Sequence, residues 1–199
     1  MRLKTFITSI IVILYSVGCS DKNDTSEQQV IQQKTNKIQS LQNPDEIYNS
    51  ALSGNIDKVK KNIGDGYDVN QPNKDSQTLL MLAGFNGHTE LCEYLISVGA
   101  HVDARDVNGR TALMFASTGP FPETVKLLLK NDADPNSVDH IEHFTPLMHA
   151  AAEGQFEVVK ILLDNNADPS LKDIDGDTAE SFARQNGHIE VAKLLIEHK

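Results

Sequence analysis

Asp139-His140-Ile141-Glu142-His143 gathers two imidazoles and two carboxylates within five residues, a group whose nitrogen and oxygen atoms suit a divalent metal. A zinc centre needs three or four convergent ligands, however, and this stretch supplies two His at a spacing that no rigid helix enforces. Asp173, Asp175 and Asp177 alternate as the acids of a calcium loop do, but the Gly expected one place later and the Glu six beyond it are both missing. For nucleophilic chemistry the candidates are Cys92, Ser76 and Ser117. None has a His and a carboxylate that chain spacing brings beside it, and there is no nucleophile elbow or phosphate-cradling glycine loop. His149 lies in an apolar column and reads as a packing histidine. The expectation is a chain with no catalytic residue, no metal and no cofactor.

The elements that would position such residues are best read from the ends inward. Eighteen Lys and Arg stand against 28 Asp and Glu, for a net charge of −10. Residues 1–18 hold Arg2 and Lys4 and no acid, so the remainder carries 16 basic against 28 acidic groups, or −12. With no basic stripe to displace counterions from a phosphate backbone, nucleic acid is not an expected partner. A cationic protein surface is compatible, since a negative field speeds its encounter.

Arg2 and Lys4 followed by the uncharged apolar run Thr5 to Val17 form an export signal. The run is too short to cross a hydrocarbon core of about 30 Å, which takes roughly 20 residues. Ser16-Val17-Gly18-Cys19 resembles the lipobox of bacterial lipoproteins, with Ser16 where that family usually has Leu. The resemblance implies a lipid anchor on Cys19, and Ser20 after it implies sorting to the outer membrane, facing the periplasm. Residues 19–43 then read as a lipidated N-terminus and a flexible polar tether, too poor in apolar groups to offset ordering entropy. The only other thiol, Cys92, falls on a core position, so no disulfide framework is expected.

From residue 44 to 199 the chain repeats itself. Thr78-Leu79-Leu80-Met81-Leu82-Ala83, Thr111-Ala112-Leu113-Met114-Phe115-Ala116, Thr145-Pro146-Leu147-Met148-His149-Ala150 and Thr178-Ala179-Glu180-Ser181-Phe182-Ala183 recur at spacings of 33, 34 and 33. One step back, Asp45 takes the Thr place, so units begin near 45, 78, 111, 145 and 178. The Thr residues sit where a helix N-cap accepts a backbone N–H, and Pro146 at the first helical position loses no bond. Gly54, Gly87, Gly154 and Gly187 end the first helix of their units, where a left-handed residue is needed. Second helices carry an apolar stripe: Leu91, Cys92, Leu95 and Ile96; Val125, Leu128 and Leu129; Val158, Val159, Leu162 and Leu163; Val191, Leu195 and Ile196.

These motifs resemble the ankyrin repeat. The resemblance implies an all-α solenoid of five helix-turn-helix repeats with β-hairpin fingers, solvated at both ends because a single unit cannot bury its own apolar face. Two departures stand out. Met81, Met114, Met148 and Ser181 replace the family's usual His, removing a Thr–His hydrogen-bond ladder, and unit three turns on Gly119-Pro120-Phe121-Pro122 while the finger Ser137–Phe144 carries one extra residue.

Ankyrin proteins bind partners with finger tips and the concave face of their first helices. Position by position, that implies a partner-binding face of Lys74, Gln77, Phe85, Val107, Arg110, Thr118, Ile141, His143, Phe144, Ile174, Asp177 and Gln185. Phe85, Val107, Ile141, Phe144 and Ile174 would form an exposed apolar strip rimmed by charge, the composition of an interface core. The implied function is a monomeric, membrane-anchored, non-catalytic protein–protein interaction module in the bacterial envelope, acting as an accessory or inhibitor of an envelope protein. The alternatives are an immunity protein against a cationic toxin and a structural envelope protein without a dedicated partner.

Overall fold

The structure is a computed structural model and describes residues 45–198. Cys19 and the segments expected to be an export signal and a tether lie outside the described residues. Ten helices follow one another: α1 (Asp45–Leu52), α2 (Ile56–Gly64), α3 (Leu79–Phe85), α4 (Thr89–Ser97), α5 (Ala112–Ser117), α6 (Pro122–Lys130), α7 (Pro146–Ala152), α8 (Phe156–Asp164), α9 (Ala179–Gln185) and α10 (Ile189–Glu197). They pair as five successive helix–turn–helix units. First helices pack on first helices, and from α4 onward second helices pack on second helices. At six to nine residues none would persist alone in water, so their stability comes from packing.

Local chemistry explains each boundary. Thr78, Thr111, Thr145 and Thr178 adopt extended backbone and their hydroxyls accept from the N–H of Met81, Met114, Met148 and Ser181. Asp45, read as the cap of the first unit, is instead the first residue of α1. The substitution of His by Met does not leave the caps open: the Thr78 N–H donates to Met81 Sδ at 3.4 Å, Thr145 N–H to Met148 Sδ at 3.4 Å and Thr178 N–H to Ser181 Oγ at 3.2 Å. Gly54 takes φ +72°, and a Cβ there would come within 2.5 Å of the His88 ring of the next unit. That ring is fixed by a 3.0 Å hydrogen bond between Nε2 and the Leu52 carbonyl, which also accepts from Asn86. His188 and Asn186 repeat the arrangement on the Ala152 carbonyl.

The core is one strip running along the stack. Leu79, Ala83, Leu91, Cys92, Leu95, Leu113, Ala116, Val125, Leu128, Ala150, Val159, Leu162, Ala183 and Leu195 are buried. At the outer edge of the stripe Ile96, Leu129 and Leu163 are half-buried, and Ile196 is exposed because within residues 45–198 no further unit packs over α10. The fingers also depart from expectation. Among the described residues no strand forms, so they are hydrogen-bonded turns rather than β-hairpins. In the second finger Gly109 N–H donates to Asp106 O and Asp106 N–H to Arg110 O, while the Asn108 and Arg110 N–H groups turn to the Asp106 carboxylate instead of a ladder partner.

Candidate interaction surface

Each finger is shaped by one acidic or amide side chain at its base. Asn73 Oδ1 accepts from Asp75 and Gln77 N–H; Asp106 Oδ1 from Asn108 and Arg110; Asp139 Oδ1 from Ile141, Glu142 and His143; Asp173 Oδ1 from Asp175 and Asp177. The third N–H captured by Asp139 absorbs the extra residue of that finger. The left-handed place is held by Gly109 and Gly176 in two fingers, but by Ser76 (φ +59°) and His143 (φ +60°) in the others, a conformation unfavourable for a bulky residue and held by the surrounding bonds. Fingers are joined in series: Val107 N–H donates to Asp75 O, His140 N–H to Asn108 O at 2.7 Å and Ile174 N–H to Glu142 O.

With the backbone thus fixed, Val107, Ile141 and Ile174 stand more than half exposed on three consecutive fingers. Phe85 is also exposed and meets buried Phe115 edge-on, with centroids 6.0 Å apart. Arg110 lies over the Phe115 ring at 4.6 Å and donates to Asp106 Oδ2 through Nε (2.9 Å) and Nη2 (2.7 Å), so a cation is held at a set point on the face. Phe144, expected exposed, is half-buried: it packs on Phe182 at 4.8 Å and on His149 at 5.5 Å. Phe144 directly precedes the Thr145 cap, the place that Gln77, Arg110 and Asp177 hold before their own Thr caps, and all four are half-buried there. Phe144 is therefore part of the floor and not of the outer strip.

The remaining residues divide by neighbourhood. Lys74 and Gln77 line a cleft of about 300 Å³ with Tyr48 and Leu82, and Gln77 accepts from Asn73. His143 is exposed. Thr118 directs its hydroxyl to the Phe115 carbonyl at 2.8 Å. Asp177 and Gln185 meet at 3.5 Å beside the last finger. The structure thus gathers Phe85 with Arg110, joins Asp177 to Gln185, and spaces Val107, Ile141 and Ile174 one per finger.

Reactive chemistry finds no support at this face. Burial pushes the Cys92 thiol up to about 12, away from thiolate character. Burial also lowers the His149 pKa; nearby Asp139 opposes this and Arg110 adds to it, and the buried Nε2 has no hydrogen-bond partner among the described residues. Among the described residues no three His, Cys, Asp or Glu gather as metal ligands, and no helix is long and apolar enough to cross a membrane.

Sequence reasoning missed three features: the aspartates that shape the fingers, the aromatic floor, and a row of ties between turns. In that row Asn70 bonds Gly99 O and His101 N, Asp103 accepts from Asp134 N, and Asn136 bonds Asn166 O and Asp168 N. The signal was a polar Asn or Asp recurring one unit apart at positions 70, 103 and 136.

Comparison with known proteins identifies the same repeat family. A family model described as "Ankyrin repeats (3 copies)" matches residues 47–139 and 117–199. The chain is 31% identical over 163 residues to ankyrin repeat and KH domain-containing protein mask-1 of Caenorhabditis elegans, covering 74% of this chain and 6% of that protein. It is 32% identical over 161 residues to the ankyrin repeat protein FPV014 of fowlpox virus (strain NVSL), covering 76% and 35%. With palmitoyltransferase ZDHHC17 of Danio rerio it shares 35% identity over 96 residues, 47% of this chain and 15% of the enzyme. The chain thus spans about a third or less of the length of these relatives, and what it shares with the palmitoyltransferase is the ankyrin region alone. With matched segments running from residue 47 to 199 over the helix pairs, the chain belongs to the ankyrin-repeat family.

Proposed function

We propose that this protein is a lipid-anchored, periplasm-facing interaction module of the bacterial envelope, built from five ankyrin repeats of which the first is atypical. It binds one envelope protein and acts as its accessory or inhibitor. The observation that carries the reading is the row of exposed Val107, Ile141 and Ile174 on fingers held by carboxylates at their bases, those of Asp106 and Asp139 buried, with Arg110 pinned beside them. Such a face meets a partner without having to be ordered first, which lowers the entropic cost of association. Anchoring is supported by Ser16-Val17-Gly18-Cys19 and by an N-terminal segment of 25 residues between Cys19 and Asn43. The binding is a monomer's and uses no cofactor.

Crosslinking and affinity capture of the Cys19-anchored protein from its own envelope tests this, with Val107→Asp/Ile141→Asp/Ile174→Asp as the comparison. Loss of one captured protein with the variant, while its helicity is unchanged, is the expected result. An unchanged capture profile would favour a structural envelope protein without a dedicated partner. Capture abolished by high salt would point to an inhibitor of a cationic toxin, using the net charge of −10. Retention of Cys19→Ser in the membrane fraction would remove the anchor from the proposal.

A further inference from the structure

The row of Val107, Ile141 and Ile174 has a direction, because the charges beside it change from finger to finger. The first two fingers carry Lys74, Arg105 and Arg110 against Asp75 and Asp106, and the last two carry Asp139, Glu142, Asp173, Asp175 and Asp177 against Lys172. Several of these acids have structural work. Asp106, Asp139 and Asp173 take the N–H groups that shape their turns, and Asp177 meets Gln185. On α9, Arg184 is already paired with Glu180.

Glu142 and Asp175 are different. Both are exposed, and among the described residues no hydrogen bond or ion pair engages either carboxylate. They stand on adjoining fingers: Glu142 follows Ile141, Asp175 follows Ile174, and the Ile174 N–H donates to the Glu142 carbonyl at 3.1 Å. Each exposed aliphatic in this half of the row thus has an unengaged carboxylate as its chain neighbour. Val107 does not. Asp106 before it is buried and paired with Arg110, Asn108 after it is uncharged, and the exposed charge next to Asp75, whose carbonyl accepts from the Val107 N–H, is Lys74. Unpaired charges at the rim of an apolar patch decide which partner docks and which way round, more than how tightly.

Resting on the finger-face reading given above, we propose that the row takes a partner-protein segment with aliphatic side chains along it and Lys or Arg gathered at one end. The cations lie over Glu142 and Asp175, and the uncharged end lies toward Val107. The test titrates the full-length protein with a fluorescent synthetic peptide carrying Leu along its length and Lys at one end only, followed by anisotropy. A counterpart peptide has Glu for Lys. Saturable binding is expected for the Lys peptide, about tenfold tighter than for the Glu peptide and weakened about tenfold by Glu142→Lys/Asp175→Lys. Glu93→Lys/Asp164→Lys makes the same change in net charge at exposed positions of α4 and α8 and should weaken binding no more than about twofold, since distant charges are screened. Equal weakening by the two pairs overturns the proposal, because the overall field and not the two carboxylates would then be at work. Equal binding of the two peptides, or no saturation at millimolar peptide, also overturns it. If charge selectivity is absent but Val107→Ser/Ile141→Ser/Ile174→Ser still abolishes binding, only the cation placement falls. Binding that this triple variant leaves unchanged removes the finger face itself.

Discussion

Replacing Asp106 separates two jobs that one side chain performs. Its carboxylate is fully buried and accepts four bonds: Asn108 N–H and Arg110 N–H at Oδ1, Arg110 Nε and Nη2 at Oδ2. Asp106→Ala removes the acceptor for two backbone N–H groups in a half-buried turn, each costing about 1–3 kcal/mol when left unmet. Arg110, whose side chain is 34% exposed, recovers most of its hydration once released, so its share is small. The expected loss is about 2–6 kcal/mol. Asp106→Asn keeps Oδ1 for both N–H groups and sacrifices only the charge pairing, for about 1–2 kcal/mol. Nature has already placed that amide in the first finger, where Asn73 Oδ1 takes Asp75 and Gln77 N–H at 2.9 and 2.8 Å. Urea titrations followed by far-UV circular dichroism give the difference. Equal losses for Ala and Asn would refute the reasoning, since charge pairing and not turn shape would then dominate; so would losses below about 0.5 kcal/mol in both, the range of an ordinary surface substitution.

Three further outcomes are expected. The neutral form of His149 is favoured in the fold because burial holds its pKa below the ordinary value, so the unfolded chain binds the extra proton first and stability falls as pH drops below about 6.5. The loss is at most about 1.4 kcal/mol per pH unit for one such site, and denaturation midpoints between pH 7 and 5 should decline less steeply in His149→Leu; parallel curves contradict this. Cys92, buried with its thiol pushed up to about 12, should not react with an aromatic disulfide reagent in the native state and should react fully in denaturant; rapid native labelling contradicts its burial. Gly54→Ala should cost about 1–3 kcal/mol in thermal unfolding, combining left-handed strain with displacement of His88, while Gly99→Ala, with nothing within 4 Å of the added Cβ, should cost only about 1 kcal/mol. Equal losses would mean that the His88 tie contributes nothing.

The helices were legible because their signals are local and repeated. Thr at the cap, Gly at φ > 0 and an apolar stripe each determine one feature within a few residues, and copies in register confirm one another. Ile196 misled because a stripe residue is buried only if another unit covers it, a fact of neighbours and not of periodicity. The fingers misled for a different reason. Asp–x–Asn–Gly reads as a hairpin turn, yet the Asp side chain competes for the same N–H groups that a ladder would use. Phe144 was placed on the correct surface but at the wrong depth, since its ring turns onto His149 and Phe182, and only the assembled stack brings Phe182 of the next unit beside it. The floor of Phe115, His149 and Phe182 joins residues from three units, and only assembly of the stack brings them against Phe85, Arg110 and Phe144.

A finger whose shape is set at its base leaves its tip without a structural task. Lys74, Val107 and Ile174 differ in charge and size at corresponding places, and the third finger accepts a whole additional residue, while Asn73, Asp106, Asp139 and Asp173 keep the same bonds. Mutational drift at the tips therefore carries little thermodynamic risk. Such a surface can be altered one finger at a time, with foldability secured by four side chains at the bases of the fingers.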